Sequence, residues 1–382
     1  PGNSTKFVGV ISGHHDTRRM GELILFDTAK GRHEASGVIQ RIPERGKKVE
    51  PVILDGLVRG SWPKFLHPYP LSDKYFLVSA QPTNKSNWGV YLVDVFDNMF
   101  LLKELPDHVL FEPIPFRKTP RPPLLPSRVD TARKDGVMYM TDVYGGRGLG
   151  GVPKGAVKKL RVFSYQFAYH GMGGQINRVG LDGPWDVKRI LGTVPVEADG
   201  SALFRVPANT PISIQPLDAD GRAIALMRSW ATVMPGETQA CIGCHESQSD
   251  APGTAPTAAS RRKASEITPW YGPSRGFSFT REVQPALDKY CVSCHDGKPR
   301  DDKKTLPDFV ARAAVNPKAA SGSYNNGTKF TPSYMALRSY VRAATIESDM
   351  HMLPPYEFHA GTTALVQMLD KGHHNVKLSA EA

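Results

Sequence analysis

The sequence predicts a mainly β chain with a smaller α-helical part. Three observations carry this. Runs alternating apolar and polar residues, separated by Gly and Asp turns, recur from residue 6 to about 235. Gly (35) and Pro (32) are both abundant in 382 residues, so turns are frequent and long helices few. From 276 onward the apolar residues recur at helical spacing instead.

Residues 1–150 read as the C-terminal part of a β-propeller. "KFVGVIS", "GELILFD", "KYFLVSAQ", "GVYLVDVFD" and "MFLLKEL" are short strands joined by short polar turns. An isolated meander is the alternative. Only about two blades' worth of sequence is present and a closed propeller needs at least ~4, so the chain is expected to begin partway through one. "FRKTPRPPLLPSRVD" (116–130) is too Pro-rich for a helix and reads as an extended connector. "YGGRGLGGVPKGA" (144–156) lacks the G-K-[ST] ending of a phosphate-binding loop and reads as a flexible domain junction.

Residues 151–275 are expected to form a β-rich, sandwich-like middle domain. "VKKLRVFSYQFAY", "WDVKRILGTVPVE", "SALFRVPA", "PISIQPLDADG" and "AIALMRSWATVM" supply its period-two strands, with "ADGS" and "DADG" as turns. "DAPGTAPTAASRRKAS" (250–265) is of low complexity and predicts a mobile loop. Residues 276–382 form the helical part. "SFTREVQPALDKY" predicts a helix capped by Thr280, and "TPSYMALRSYVRAA" and "GTTALVQMLDKGHH" predict two more.

All four cysteines fall in one repeated pattern, "CIGCH" (241–245) and "CVSCH" (291–295). C-x-x-C-H is the attachment signature of c-type haem. Two thiols at this spacing reach the two vinyl groups of one porphyrin, and the adjacent His lies under the iron. A zinc ribbon would place its two C-x-x-C pairs about 15–20 residues apart, whereas these begin fifty apart. Two disulfides would need no His, and a thioredoxin-like motif would need a βαβ context. The expectation is two covalent c-type haems, the first on Cys241, Cys244 and His245 in the middle domain, the second on Cys291, Cys294 and His295 in a helical cytochrome c domain. Thioether attachment implies a periplasmic or equivalent extracytoplasmic location, and a chain with no spare thiols suits it.

His295 is the expected proximal ligand of the second haem. Its distal partner is sought among His351, His359, His373, His374, Met350, Met352 and Met368, with His374 preferred slightly over His373 as part of a bis-His site. His245 is the default ligand of the first haem and the candidate reactive position; Met234 and Tyr271 lie near it in sequence. "SGHHD" (12–16) has ligand-type residues, but neighbours on a strand point to opposite faces.

The formal net charge is +11, spread over short basic clusters with no basic helix or aromatic-interleaved basic stretch. That speaks against nucleic acid and suits a solvated surface or an acidic redox partner. No run approaches the ~20 apolar residues of a membrane span. No leader is visible ahead of "PGNSTKFVGV", which reads as a mature end or a partial chain.

"GPWDVKRILGTVPVEADGSALFRVPANTPISIQPLDADGRAIALMRSWATVMPGETQACIGCHE" (183–246) resembles the middle domain of the hydrazine synthase alpha subunit family. "RGFSFTREVQPALDKYCVSCHDG" (275–297) is similar to the start of that family's C-terminal haem domain, and "KFLHPYPLSDKYFLVSA" (64–80) to the end of its propeller. The resemblance implies a propeller, a middle domain with one haem, a C-terminal domain with a bis-His haem, and partner subunits. The family's enzymatic member condenses a nitric-oxide-derived hydroxylamine with ammonia. There the His of the first motif binds zinc together with a propeller Cys, and a Tyr four residues on ligates iron. Here that position is Ser249, no Cys precedes Cys241, and a serine hydroxyl cannot act as a phenolate. Zinc is therefore a possible second metal that the residues in this stretch do not support. The expected function is a dihaem redox subunit acting on a small nitrogen or oxygen compound, with true hydrazine synthesis or a non-enzymatic electron-transfer and docking module as alternatives.

Overall fold

The computed structural model describes residues 4–13, 20–32, 35–44, 49, 55–166, 179–181, 187–247, 250–300, 305–317, 329–343 and 352–382. Among them strands outnumber α-helices by thirteen to three, so the chain is mainly β. It divides into two compact units, 1–124 and 125–382.

The first unit holds two antiparallel meanders. β1 (Lys6–Ile11), β2 (Glu22–Asp27) and β3 (Val38–Ile42) pair in sequence order, as do β4 (Lys64–Pro70), β5 (Tyr75–Gln81), β6 (Gly89–Asp94) and β7 (Met99–Lys103). Alternation decides the faces: in β5, Phe76, Val78 and Ala80 turn inward and are almost fully buried. They meet Leu23, Leu25, Ile42, Phe65 and Val93 in one core shared by both meanders. The sheets are tied where Phe65 and Gly21 exchange backbone hydrogen bonds of 2.8 and 3.3 Å. The β6–β7 turn is built by Asp94, whose carboxylate accepts from the backbone of Phe96 and Asn98 and from the Asn98 amide. This is the architecture of successive blades, with no closed ring of strands among the described residues.

No helix or strand occurs between 104 and 134, and the break between units falls inside the Pro-rich stretch. A boundary at 150 would assign β8 (Asp135–Met140) to the first unit. Its hydrogen-bond partners are instead β11 (Ala202–Pro207) and β13 (Thr238–Cys241), both in the second.

The second unit opens with a two-sheet sandwich. One sheet has the order β10-β9-β12, from β9 (Lys159–Gln166), β10 (Val187–Pro195) and β12 (Ile212–Leu217). The other has the order β11-β8-β13, with β13 parallel to β8. Inward residues of both sheets, among them Met138, Met140, Leu160, Val162, Phe204, Val206 and Ile212, form one core.

The segment 250–265 differs from the mobile loop expected. Its second half is docked on the sandwich: Ala259 is fully buried, its N–H donates to Ser201 Oγ (3.0 Å), and Arg262 pairs with Glu197 at 2.6 Å. Ser265 then exchanges backbone bonds with Leu203 and Arg205. Local composition misled because the anchors are supplied by β11 and the turn before it, some sixty residues earlier.

The helical part is sparse. α1 (Gln284–Tyr290) is preceded by a π-helical turn, Phe279–Val283; Thr280 lies inside that turn and is not a cap. α2 (Pro332–Arg338) is capped by Thr331, whose hydroxyl accepts from Tyr334 N–H. α3 (Ala364–Lys371) is capped in the same way by Thr363 and ends at Gly372, φ +87°. Only Leu287, Phe309 and Leu337 form its buried apolar cluster among the described residues.

Candidate functional site: the two Cys-x-x-Cys-His segments

The first segment leaves the sandwich at the end of β13. Cys241 is the last strand residue, in register with Met140 of β8, so the motif starts at a sheet end. The Gly-rich loop is not the flexible junction expected. It runs along the motif as a clamp: Thr141 and Asp142 N–H donate to Cys241 and Ile242 C=O (3.0 and 2.9 Å), and Gly148 N–H to Cys244 C=O (2.9 Å). Thr141 Oγ1 adds a 2.7 Å bond to Ile242 C=O. The two backbones can run this close because 145, 146 and 148 lack a Cβ. At 146, where φ is +80°, one would lie 2.7 Å from both Cys244 and His245 oxygens.

Cys241 and Cys244 pack against the sandwich core. Burial raises both thiol pKa values, that of Cys244 to about 12. His245 takes φ +65° and is exposed; its carbonyl accepts from Arg147 N–H (3.3 Å), while its ring makes no hydrogen bond among the described residues. Met234 and Tyr271 are also exposed, and the Tyr271 hydroxyl is engaged with Ala380 C=O (3.1 Å). The donor set of Cys241, Cys244 and His245 suits covalent haem.

The second segment is oriented differently. α1 hands the chain to Cys291, whose N–H continues the helix to Leu287 C=O (2.9 Å), and His295 N–H returns to Cys291 C=O (2.9 Å). Cys294 is exposed, whereas the His295 ring is turned in against Phe309, stacked at 4.7 Å between centroids. His295 Nδ1 lies 3.2 Å from Pro307 C=O. That bond sets the tautomer and leaves Nε2 as the free lone pair, the arrangement seen in metal-ligating histidines. Burial lowers the His295 pKa, favouring the neutral form that ligates.

Facing His295 is His373, with ring centroids 6.0 Å apart and planes 34° apart. Two metal–nitrogen bonds of about 2 Å, plus about 1.1 Å from each nitrogen to its ring centre, span roughly 6 Å. The spacing therefore fits one metal held between the rings. The thin apolar cluster around α1–α3 fits a large group completing the core. The residues here match a bis-His haem.

The partner facing His295 is thus His373 rather than His374, which lies edge-on beside it at 4.7 Å. His359 is spent elsewhere: Nε2 bonds Asp218 Oδ2 at 2.9 Å and Nδ1 accepts from Gly361 N–H at 3.2 Å. Met352 is exposed and Met368 half-buried on α3. Met350, His351, Ser249 and the histidines of "SGHHD" lie outside the described residues. No cluster of three or more metal-type ligands occurs among the described residues, and no described helix is long and apolar enough to cross a membrane. Sequence reasoning missed Phe309 and the glycine clamp. The only signal for the clamp was the spacing of Gly145, Gly146 and Gly148.

Residues 155–246 match the family model described as the hydrazine synthase alpha subunit middle domain. No curated protein matches the chain. Among solved structures, Kuenenia stuttgartiensis hydrazine synthase is similar, with a TM-score of 0.63 at 17 % identity. The alignment takes in 99 % of this chain and 56 % of that one, so this chain spans little more than half its length. At that identity the likeness is one of fold.

Proposed function

From the likeness of residues 155–246 to the hydrazine synthase alpha subunit middle domain, we propose that this chain is a dihaem c-type cytochrome subunit of that family. It passes electrons through a second, bis-His haem to a first haem acting on a small nitrogen or oxygen compound. The observation that carries the reading is the His295–His373 pair, 6.0 Å apart.

A haem held by His295 and His373 would supply one-electron transfer, and with both imidazoles bound would suit a relay rather than a substrate-binding centre. Cys291 and Cys294 would hold the second group, with His295 and His373 as ligands. Pro307 C=O fixes the His295 ring, and Phe309 covers its face and excludes water. Cys241 and Cys244 would hold the first group at the end of β13. His245, exposed to solvent, would be the ligand of that group, and a haem there with one coordination position left free would react with or exchange small ligands.

The same reading puts the protein outside the cytoplasm, where thioethers are formed, and in a complex with other redox or structural subunits. A basic surface, formal charge +11, suits an acidic partner. Low-temperature electron paramagnetic resonance of the purified holoprotein tests it. A low-spin bis-imidazole signal and a separate signal from a haem that binds an added small ligand are expected. Two haems that both refuse added ligand would instead favour a pure relay and docking module. Absence of any bis-imidazole signal would overturn the proposal.

A further inference from the structure

The chain places a turn of the sandwich against both ends of the segment that carries His373. After β12, Asp218 starts a tight turn: its N–H and C=O bond Arg222 C=O (2.9 Å) and Gly221 N–H (3.2 Å), and its Oδ1 accepts from Arg222 N–H (2.8 Å). The turn is further held by Arg161, which donates to Gly221 C=O (3.1 Å). Its two outward groups then reach the helical part. Asp218 Oδ2 takes the Nε2–H of His359, four residues before the α3 cap Thr363. Arg222 donates to both oxygens of Asp370, at 3.3 and 3.1 Å, one residue before α3 ends and three before His373. Three residues before His359, Tyr356 N–H adds a 2.7 Å bond to Ile224 C=O.

We infer that Asp218 and Arg222 are positioning residues for the second site: the sandwich, through this two-point staple, sets where α3 presents His373 to His295. The inference rests on the bis-His reading above. The staple is polar and directional, so it fixes the rotation of an eight-residue helix that buries no residue of its own. The Asp218–His359 arm is the stronger, because both side chains are mostly shielded, 22 % and 14 % exposed. The Arg222–Asp370 arm is more exposed, and its one nitrogen, Nη2, is shared between both carboxylate oxygens, so it is the weaker. The staple also gives the first-motif domain a mechanical grip on the second haem's coordination.

The test uses the holoprotein and four variants: Asp218→Asn/Arg222→Gln, His359→Leu, and the conservative Arg222→Lys and His359→Gln. The last retains an N–H donor toward Asp218. The readouts are the bis-imidazole fraction of the second haem by electron paramagnetic resonance, its midpoint potential, and the melting of the sandwich by circular dichroism. Loss of a charge-assisted bond shifts such an equilibrium on the order of tenfold. The double variant and His359→Leu should therefore raise the fraction of second haem lacking its distal imidazole about tenfold and move its potential. The conservative variants should stay near the parent, with the first haem and the melt unchanged. Parent-like spectra and potentials in the double variant and His359→Leu would overturn the inference while leaving the bis-His reading intact. A parent protein without a bis-imidazole signal would overturn both. Equal disturbance of both haems would show general unfolding and refute a positioning role.

Discussion

Gly148→Ala probes the first motif most sharply. A Cβ at 148 would sit 2.8 Å from Cys244 O, 3.1 Å from its carbonyl carbon and 3.2 Å from its Cβ. All three atoms are backbone or its immediate root, so no flexible side-chain end can swing aside. Relief requires the loop to slide off the motif, which strains the Gly148 N–H to Cys244 C=O bond of 2.9 Å. Overpacking of this kind costs about 1–3 kcal/mol, and a weakened hydrogen bond about 0.5–1.5 kcal/mol. The two overlap, so the expected loss is about 2–3 kcal/mol. Gly150→Ala is the internal control: its nearest neighbour, Arg147 O, is 3.4 Å away, and its φ is not positive. It should stay within about 0.5 kcal/mol of the parent. Urea unfolding followed by circular dichroism gives the stabilities, and mass spectrometry of the peptide spanning Cys241–Cys244 gives haem occupancy. Gly148→Ala should lose stability and leave that peptide partly unmodified, with the Cys291–Cys294 peptide unaffected. Identical behaviour of the two alanine variants in both assays would refute the clamp.

Three further outcomes are expected. His373→Ala should convert the second haem from six-coordinate low-spin to high-spin in its optical spectrum, and His374→Ala should not; the reverse result would restore His374 as the ligand. Phe204→Ala, at a site 1 % exposed in the sandwich core, should cost about 3–5 kcal/mol in urea unfolding. Arg133 and Arg205 hold the Asp135 carboxyl down at a pKa of about 2. A folded-state pKa below the unfolded value of about 3.9 contributes stability that is complete above about pH 4 and is lost as pH falls toward 2. Asp135→Asn should accordingly flatten the acid limb of the stability–pH curve, and an unchanged slope would count against the Arg133–Asp135–Arg205 network.

The strands were legible where period-two alternation is local: β6 and β11 bury alternate residues as their sequences suggest. The caps of α2 and α3 rest on threonines with apolar residues following at helical spacing, again a local signal. What escaped was non-local. β8 finds its partners across about sixty and a hundred residues, and nothing in "DGVMYM" names them. The glycines of 145–148 were read as freedom, whereas they permit close approach to a backbone a hundred residues away. Ala259 and Arg262 lie in a stretch of low-complexity composition and are fixed by Ser201 and Glu197. His359 has the chemistry of a haem ligand, yet Asp218, 141 residues earlier, takes its Nε2. The repeated C-x-x-C-H pattern was legible because it is contiguous; which histidine faces His295 depended on how α3 ends.

The most direct measurement is a denaturing intact-mass determination of the chain produced alongside a c-type haem maturation system, with peptide mapping of the adducts. Two tetrapyrrole additions, one on Cys241/Cys244 and one on Cys291/Cys294, are the predicted result. A polypeptide of unmodified mass, or one modified at a single pair, would contradict the account.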